Sequence, residues 1–549
     1  MLKKTKRKFA AFLFLMFACF GNAASANETN IYNLRSFKIT SDLYRSLPSS
    51  TKRVWATSFD RLEEIVTLIY ENRIYTTDFL RKYKVIKSYL DQNPDMDRID
   101  DSELDAIDHF ITDLVVQIIY DRYSSELVFP VFKRKLYLAS SKTRIKYVWD
   151  QKVDNSSLYK LFQKVIKEPD SLSYLYPEPK NEGNLIKSDA LLDQYAYYSD
   201  IVDNGGFVDI PKSVLRKTMG ETGDDILALK TRLFQSGDFT HAPMDATYTP
   251  ELSSALKVYQ KRMGIPQTGK IDNKTYEELQ VSAEDRLHTI SVNIDRFIWD
   301  SYQKKEMFYL EINIPEYKMH VYLNDSDIGS HKVIVGKKKN PTPVLNSKIS
   351  YYVENPLWNI PNSIVKNEML QHLTENPYYV EDRNISIYNK EGQEIDPGEV
   401  DWSDFLDQKR VPYRFVKKQG KTNPLGKIKF IFPNKYAVYL HDTSNRALFG
   451  RSKRSLSHGC VRLEHPEFLR ELVSKSFGIR SKVETKNGEK YFYLKKRIPV
   501  DIRYKTAWVD KDGYLNFRKD IYNYDKMHFS AKEEILSKLS EKSKKEMFN

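Results

Sequence analysis

"SLSHGCVRLEHP", residues 455–466, contains Cys460, one of only two cysteines in a chain of 549 residues. A thiol with a pKa of about 8.5 is only a few per cent thiolate at neutral pH, and it becomes an efficient nucleophile when an imidazole can take its proton. Two imidazoles are candidates. His458 is two residues away but tied to the tight turn expected at Gly459. His441 closes the alternating stretch "KYAVYLHDT", 435–443. In a strand, residues i and i+2 share a face, so Tyr439 and His441 line one side of a groove, and a sheet can bring that strand end beside a distant cysteine. His441 is therefore read as the general base and His458 as a structural or substrate-orienting residue. The base needs its second ring nitrogen held, and Asp442 can do this through its carboxylate or through its backbone carbonyl.

Without a Cβ, Gly459 permits a sharp turn that can aim backbone N–H groups at a developing oxyanion. Arg462, together with Arg451, Lys453 and Arg454, could hold a substrate carboxylate, although basic residues on a loop are also ordinary surface charge. Tyr439 and Trp358 fit core packing or substrate contact equally well, and His372 in "MLQHL" reads as a surface histidine. Zinc held by Cys460, His441 and His458 is a rival on ligand count. A glycine-flanked thiol with no acidic ligand suits covalent chemistry better.

Around this site the chain divides by periodicity. Lys3, Lys4, Lys6, Arg7 and Lys8 precede the apolar run "FAAFLFLMFACF", and Ala24 and Ala26 offer a cleavage site before Asn27, the pattern of an export signal over 1–26. The run is too short for a spanning helix, so no membrane span is expected after cleavage. An uncleaved anchor and lipidation at Cys19 are the alternatives. Cleavage removes five basic residues and no acidic ones, taking the formal net charge from +13 to +8, and it also removes Cys19. A lone thiol in an oxidising compartment can form no internal disulfide. The remaining charge is dispersed and lacks zinc-finger spacing or basic-aromatic arrays, which argues against nucleic acid as a partner.

Residues 27–215 read as a mostly helical scaffold, with Phe59, Leu62, Val66, Ile69 and Tyr70 and then Leu104, Ile107, Ile111, Leu114 and Ile118 at helical spacing. Residues 222–281 read as three short helices. Ile226, Leu229 and Leu233 share a face, Thr249 caps a second helix with Pro250 first in it, and Asp272 begins a third. From 287 alternation takes over in "SVNIDRFIWD", "MFYLEINIPEYKMHVYLN" and "SHKVIVGKKKN", all read as strands. Residues 362–414 interrupt this β-rich region of 287–530 as an inserted cap. Asp512-Gly513 marks a hairpin, and 531–549 reads as a tail. The fold class expected is multidomain α+β.

His441, fifteen intervening residues and then Ser457-His458-Gly459-Cys460-Val461-Arg462 resemble the signature of the YkuD-type L,D-transpeptidases. "NPLWNIP", "NPLGKIKFIFPNKYAVYLHDT" and "TAWVDKDGYLNFRKDIYNYD" resemble the large periplasmic YcbB-like subgroup of Gram-negative bacteria. "DILALKTRLFQSGD" and "LSSALKVYQKRMGIPQTGKIDNKTYEEL" are similar to a three-helix peptidoglycan-binding domain. The resemblance implies a cofactor-free cysteine acyltransferase acting on peptidoglycan stem peptides and glycan strands, with other cell-wall synthases as further partners. Cys460 would attack a tetrapeptide donor, release D-alanine and pass the acyl group to an amine as a 3→3 cross-link. Hydrolysis or D-amino-acid exchange are alternative fates, and a noncatalytic wall-binding scaffold is the alternative class. The resemblance further implies that the Asp442 carbonyl orients His441, that backbone groups at Gly459 and Cys460 form the oxyanion hole, and that carbapenems acylate the thiol. Ser457, His458, Arg462, Tyr439, Trp358 and Arg454 are the expected substrate contacts.

Overall fold

A computed structural model describes residues 53–64 apart from Val54 and Phe59, then 101–143, 145–151, 182–240, 245–301, 306–480 and 483–534. The expected export signal, Cys19 and the repeat at Val66, Ile69 and Tyr70 lie outside them. Helices come first: α1 (Asp101–Thr143), α2 (Glu182–Asp203), α3 (Asp224–Gln235), α4 (Pro250–Arg262), α5 (Asn273–Leu279) and α6 (Ala283–Ser301). The β-rich region follows, so the architecture is mixed α+β, as the sequence indicated. Helices α3, α4 and α5 start as their residues dictate. Asp224 and Asp225 occupy the first turn of α3, the Thr249 side chain accepts from the Leu252 amide at the start of α4, and Asp272 accepts from Thr275 at the start of α5.

The principal sheet is built from β1 (Phe308–Asn313), β2 (Lys318–Leu323), β3 (Ser326–Gly336), β4 (Leu345–Glu354), β8 (Ile428–Ile431), β9 (Leu440–His441), β11 (Val461–Leu463), β12 (Glu484–Lys486) and β13 (Glu489–Arg503), with β10 (Ser455–Ser457) paired to β3. Its order is β1-β2-β3-β11-β9-β8-β4-β13-β12. A parallel pairing of β1 with β13, Leu310 opposite Val500, joins the ends, so the sheet closes on itself and leaves few free edges. Leu310, Ile312, Val333, Phe430, Leu440, Val461 and Val500 are buried in its core. Between β4 and β8, a second sheet of β5 (Trp358–Asn359), β6 (Ile385–Tyr388) and β7 (Arg414–Lys417) carries its own core of Val365, Leu370, Leu373, Trp402 and Phe415. A hairpin of β14 (Ala507–Val509) and β15 (Leu515–Phe517) turns at Asp512-Gly513.

Two readings are corrected here. "SVNIDRFIWD" is the second half of α6, not a strand. Ile290, Ile294, Phe297 and Ile298 enter the core shared with α2 to α5, whereas Trp299 enters the core of the closed sheet. Ile290, Ile294, Phe297 and Ile298 keep helical spacing, and the alternation of Val292 and Ile294 is too short to outweigh it. The expected tail also begins inside a helix spanning 524–534: Ala531 is fully buried, and Lys532 Nζ lies 3.0 Å from Asp295 of α6.

The ring of Trp299 stacks on His528 at 4.7 Å and meets Phe129 edge-on at 4.9 Å, joining α1, α6 and the last helix. Trp299→Ala is expected to cost about 3–5 kcal/mol, read as a lowered unfolding midpoint; a midpoint unchanged from wild type would contradict this packing role.

Candidate active site

Parallel pairing of β9 with β11 sets Leu440 against Val461 and His441 against Arg462. Leu440, Val461 and Leu463 point into the core, so by alternation His441 and Arg462 face the opposite side, with Tyr439 and Cys460 two residues before each. The Val461 amide donates to the Tyr439 carbonyl at 3.2 Å and continues this register past the strand ends. The Tyr439 and His441 rings are 5.6 Å apart. The structure thus brings Tyr439, His441, Cys460 and Arg462 together on one face, although 15 residues separate His441 from the Ser-His-Gly-Cys turn.

His441 is buried, and its Nδ1 lies 2.5 Å from the Asp442 carbonyl oxygen. A carbonyl only accepts, so Nδ1 carries the proton and Nε2 the lone pair. Burial, with the nearby Arg462 charge as the next cause, pushes the imidazole down to about 3, so it is neutral through the physiological range. Asp442 therefore holds the ring by its backbone. Its carboxylate is engaged elsewhere, accepting from the Lys427 amide at 2.9 Å and from Arg446 Nη1 at 3.1 Å. Gly426, at φ 59°, makes room for it: a Cβ there would sit 2.2 Å from Asp442 Oδ2.

Cys460 is half-buried. Burial pushes its thiol up to about 11, against a backbone hydrogen bond at Tyr439 and the Arg462 charge, both of which favour the thiolate. In this conformation Sγ donates to the Ala437 carbonyl at 3.9 Å, and no direct hydrogen bond joins it to the imidazole among the described residues. Ala437 is itself left-handed, at φ 54°, a conformation that non-glycine residues adopt at some cost. At rest the site therefore holds a neutral thiol and a neutral imidazole on one face of the sheet.

The turn carrying the thiol is closed from within. Ser457 Oγ accepts from the Gly459 amide at 3.1 Å and donates to the Cys460 carbonyl at 2.6 Å, while Gly459 adopts φ 119°. The Gly459 amide is thereby engaged by Ser457 and is not directed at an oxyanion in this conformation. Thr342 Oγ1 donates to the Gly459 carbonyl at 2.8 Å and accepts from the Gly336 amide at 2.9 Å, and the Tyr522 hydroxyl donates to the Gly336 carbonyl at 2.6 Å. Sequence reasoning missed Thr342 and Tyr522. Thr342 lies more than a hundred residues from the turn in a stretch with no motif, and Tyr522 lies some sixty residues from it in the quoted stretch 506–525, which carries no sign of a role for that hydroxyl.

The other expected contacts are dispersed. Arg454 is turned away from the group: its guanidinium donates to the carbonyls of Val333, Arg451 and Tyr317 at 3.2, 2.9 and 3.1 Å. It clamps β3 to the loop before β10, so its donors are used on backbone. Trp358 pairs with Lys417 at the root of the inserted sheet and packs against that sheet's core. His458 is exposed and contacts Glu368 of the insertion. His372 is exposed and stacks on Tyr379 at 4.7 Å. Among the described residues, no three His, Cys, Asp or Glu side chains are grouped to hold a metal ion, and no helix is long and apolar enough to cross a membrane.

Residues 307–502 match the family profile of the YkuD L,D-transpeptidase catalytic domain, and residues 222–279 that of a putative peptidoglycan binding domain. A putative L,D-transpeptidase of Haemophilus influenzae is 36% identical over 219 residues, covering 39% of this chain and 44% of that relative, so the chain matches less than half of its length. Among solved structures, an L,D-transpeptidase from Mycobacterium smegmatis aligns at 11% identity over 36% of this chain and 58% of its own, with a TM-score of 0.19. One from Stackebrandtia nassauensis aligns at 16% identity over 52% of this chain and 94% of its own, with a TM-score of 0.22. Residues 307–502 are therefore similar to a YkuD-type L,D-transpeptidase catalytic domain, and residues 222–279 to a putative peptidoglycan binding domain.

Two outcomes follow from the site. Iodoacetamide labelling of Cys460 should be slow at pH 7 and keep accelerating up to about pH 11, because the folded thiol is held above its usual value; a rate that levels off by pH 8 would contradict the burial effect. Thr342→Val leaves the buried Gly459 carbonyl without its donor and should cost about 1–3 kcal/mol. The same substitution should lower acylation of Cys460, which intact-protein mass spectrometry would report.

Proposed function

We propose that this protein is an exported L,D-transpeptidase that forms 3→3 cross-links in peptidoglycan. It would take a tetrapeptide stem as donor and release terminal D-alanine. The observation that carries this reading is the His441 imidazole, with Nδ1–H fixed on the Asp442 carbonyl and Nε2 as its basic nitrogen, on the strand beside Cys460. A wall-binding module alone has no use for that arrangement.

In this mechanism Cys460 Sγ attacks the carbonyl that links the third stem residue to D-alanine as its proton passes to His441 Nε2. The tetrahedral intermediate collapses by breaking the C–N bond, and His441 returns the proton to the departing amine, leaving a thioester on Cys460. An acceptor amine then attacks the thioester and gives its proton to Nε2. The C–S bond breaks, and the thiol is regenerated when His441 hands that proton back. One amide bond is exchanged for another, so no cofactor or nucleotide is required. Arg462, which lies on the same face, favours the anionic sulfur as negative charge develops. The Cys460 amide is the backbone donor assigned to the oxyanion, because the Gly459 amide is held by Ser457.

Burial supports the same reading. A free thiolate is disfavoured at rest, which protects the sulfur from oxidation, and the substrate supplies the moment at which charge can form. The segment 222–279 would hold the enzyme on its polymeric substrate. The subgroup is the large YcbB-like one, the compartment is the periplasm of a Gram-negative cell, the export signal is 1–26, other cell-wall synthases are partners, and carbapenems acylate Cys460.

Purified full-length protein given a disaccharide-tetrapeptide should yield a cross-linked dimer and free D-alanine. Cys460→Ala should abolish both, and His441→Ala should lower kcat by about 10²–10⁴-fold. Wild-type protein that binds the muropeptide yet forms neither acyl-enzyme nor dimer would refute the proposal.

A further inference from the structure

The insertion reaches the turn that carries Cys460 through Glu368, whose placement has a chemical consequence. Its first helix runs through Asn362–Ile364 and Leu370–Glu375 with a π turn, Val365–Met369, between them. A π turn adds a residue to the helical repeat and re-aims the side chains around it, and such turns concentrate at functional sites. Val365 and Met369 of this turn are buried in the insertion's own core, and Glu368 projects from it toward the barrel. Glu368 Oε1 lies 2.6 Å from His458 Nε2, and Lys337 Nζ lies 3.2 Å from the same nitrogen.

One ring nitrogen cannot serve both partners at once. Carboxylate oxygen only accepts, so the contact with Glu368 requires a proton on Nε2. The ammonium of Lys337 only donates, so its hydrogen bond requires a lone pair there. In any one protonation state, His458 Nε2 can therefore bond either to the insertion or to the loop after β3, but not to both. Both states act on the turn that holds the nucleophile: His458 adjoins Gly459 and Cys460, and the Lys337 amide donates to the Ser457 carbonyl at 2.9 Å.

We propose that Glu368 is a positioning residue that latches the inserted cap onto the Ser-His-Gly-Cys turn through His458, with Lys337 as the alternative partner when the cap is released. The latch closes the cap over the thioester and keeps water from competing with the acceptor amine. Releasing it changes the fate of the acyl-enzyme more than its formation. This effect on product partition rests on the function proposed above; the physical contact between cap and turn does not.

The test uses the full chain with Glu368→Ala, Glu368→Gln and Lys337→Met. Amide hydrogen exchange should speed up in residues 362–375 and 455–460 of Glu368→Ala relative to wild type. Glu368→Gln, whose amide oxygen can still accept from Nε2–H, should restore most of the protection, and Lys337→Met should leave the cap as protected as in wild type or more so. With tetrapeptide donor and amine acceptor, Glu368→Ala should shift the ratio of hydrolysis to transfer at least severalfold toward hydrolysis, while the rate of donor acylation changes by less than about twofold. Unchanged exchange in Glu368→Ala, or equal effects of the Ala and Gln variants, would overturn the latch. Should the wild-type protein form no acyl-enzyme at all, the proposed reaction falls while the exchange measurement still decides the latch.

Discussion

The hydrogen bond from His441 Nδ1 to the Asp442 carbonyl is the constraint on which the site depends. It fixes which nitrogen is basic, and it does so with a backbone atom whose position is set by the sheet. The Asp442 amide donates to the Ile428 carbonyl at 2.9 Å, and Lys429 of β8 lies opposite His441, so the neighbouring strand holds the residue that holds the ring. Backbone is a firm anchor because moving it would break ladder hydrogen bonds on both sides. The Asp442 carboxylate reinforces this by gripping the Lys427 amide at the Gly426 turn.

Burial then sets the electrostatic state of the pair. The thiol rises to about 11 and the imidazole falls to about 3, both chiefly through loss of solvent. An ion pair at rest would have to overcome both effects, so this chain differs from cysteine sites that hold a preformed thiolate. The mechanism proposed above accordingly couples proton transfer to attack, and the Arg462 charge on the shared face favours the anionic sulfur and disfavours the protonated imidazole.

A buried polar lattice joins the parts that carry this site. Asp300 at the end of α6 meets Arg503 at 2.8 Å and Lys505 at 3.4 Å, and Lys505 also reaches Glu311 of β1 at 2.9 Å. Asn293 and Arg296 bond to Thr506, and Arg296 pairs with Asp525. Buried pairs of this kind contribute little net stability and much orientation, because leaving one partner uncompensated is strongly unfavourable. They seat α6, which follows the helices α3 to α5, on the strand β13 that closes the barrel. How much of this was legible in the sequence followed from local signals. Cys460, His441 and the turn at Gly459 could be picked out because nucleophile chemistry calls for those residue types, and the sheet places Cys460 and His441 on one face; α3 to α5 were readable because caps and apolar faces coincide. Helix α6 was not read, since the short alternation at Val292 and Ile294 was weighed above the helical spacing of Ile290, Ile294, Phe297 and Ile298. Nor was the role of Arg454, two of whose three carbonyls, Val333 and Tyr317, only tertiary structure brings near, nor those of Thr342 and Glu368, whose partners Gly459 and His458 are distant in sequence.

The most direct test of the account is nitrogen NMR of protein labelled with ¹⁵N-histidine, with His441 assigned by substitution and followed from pH 8 down to pH 4. The account predicts one neutral tautomer, protonated on Nδ1, that shows no titration until about pH 4 or below. An imidazolium at neutral pH, or a neutral ring protonated on Nε2, would contradict it.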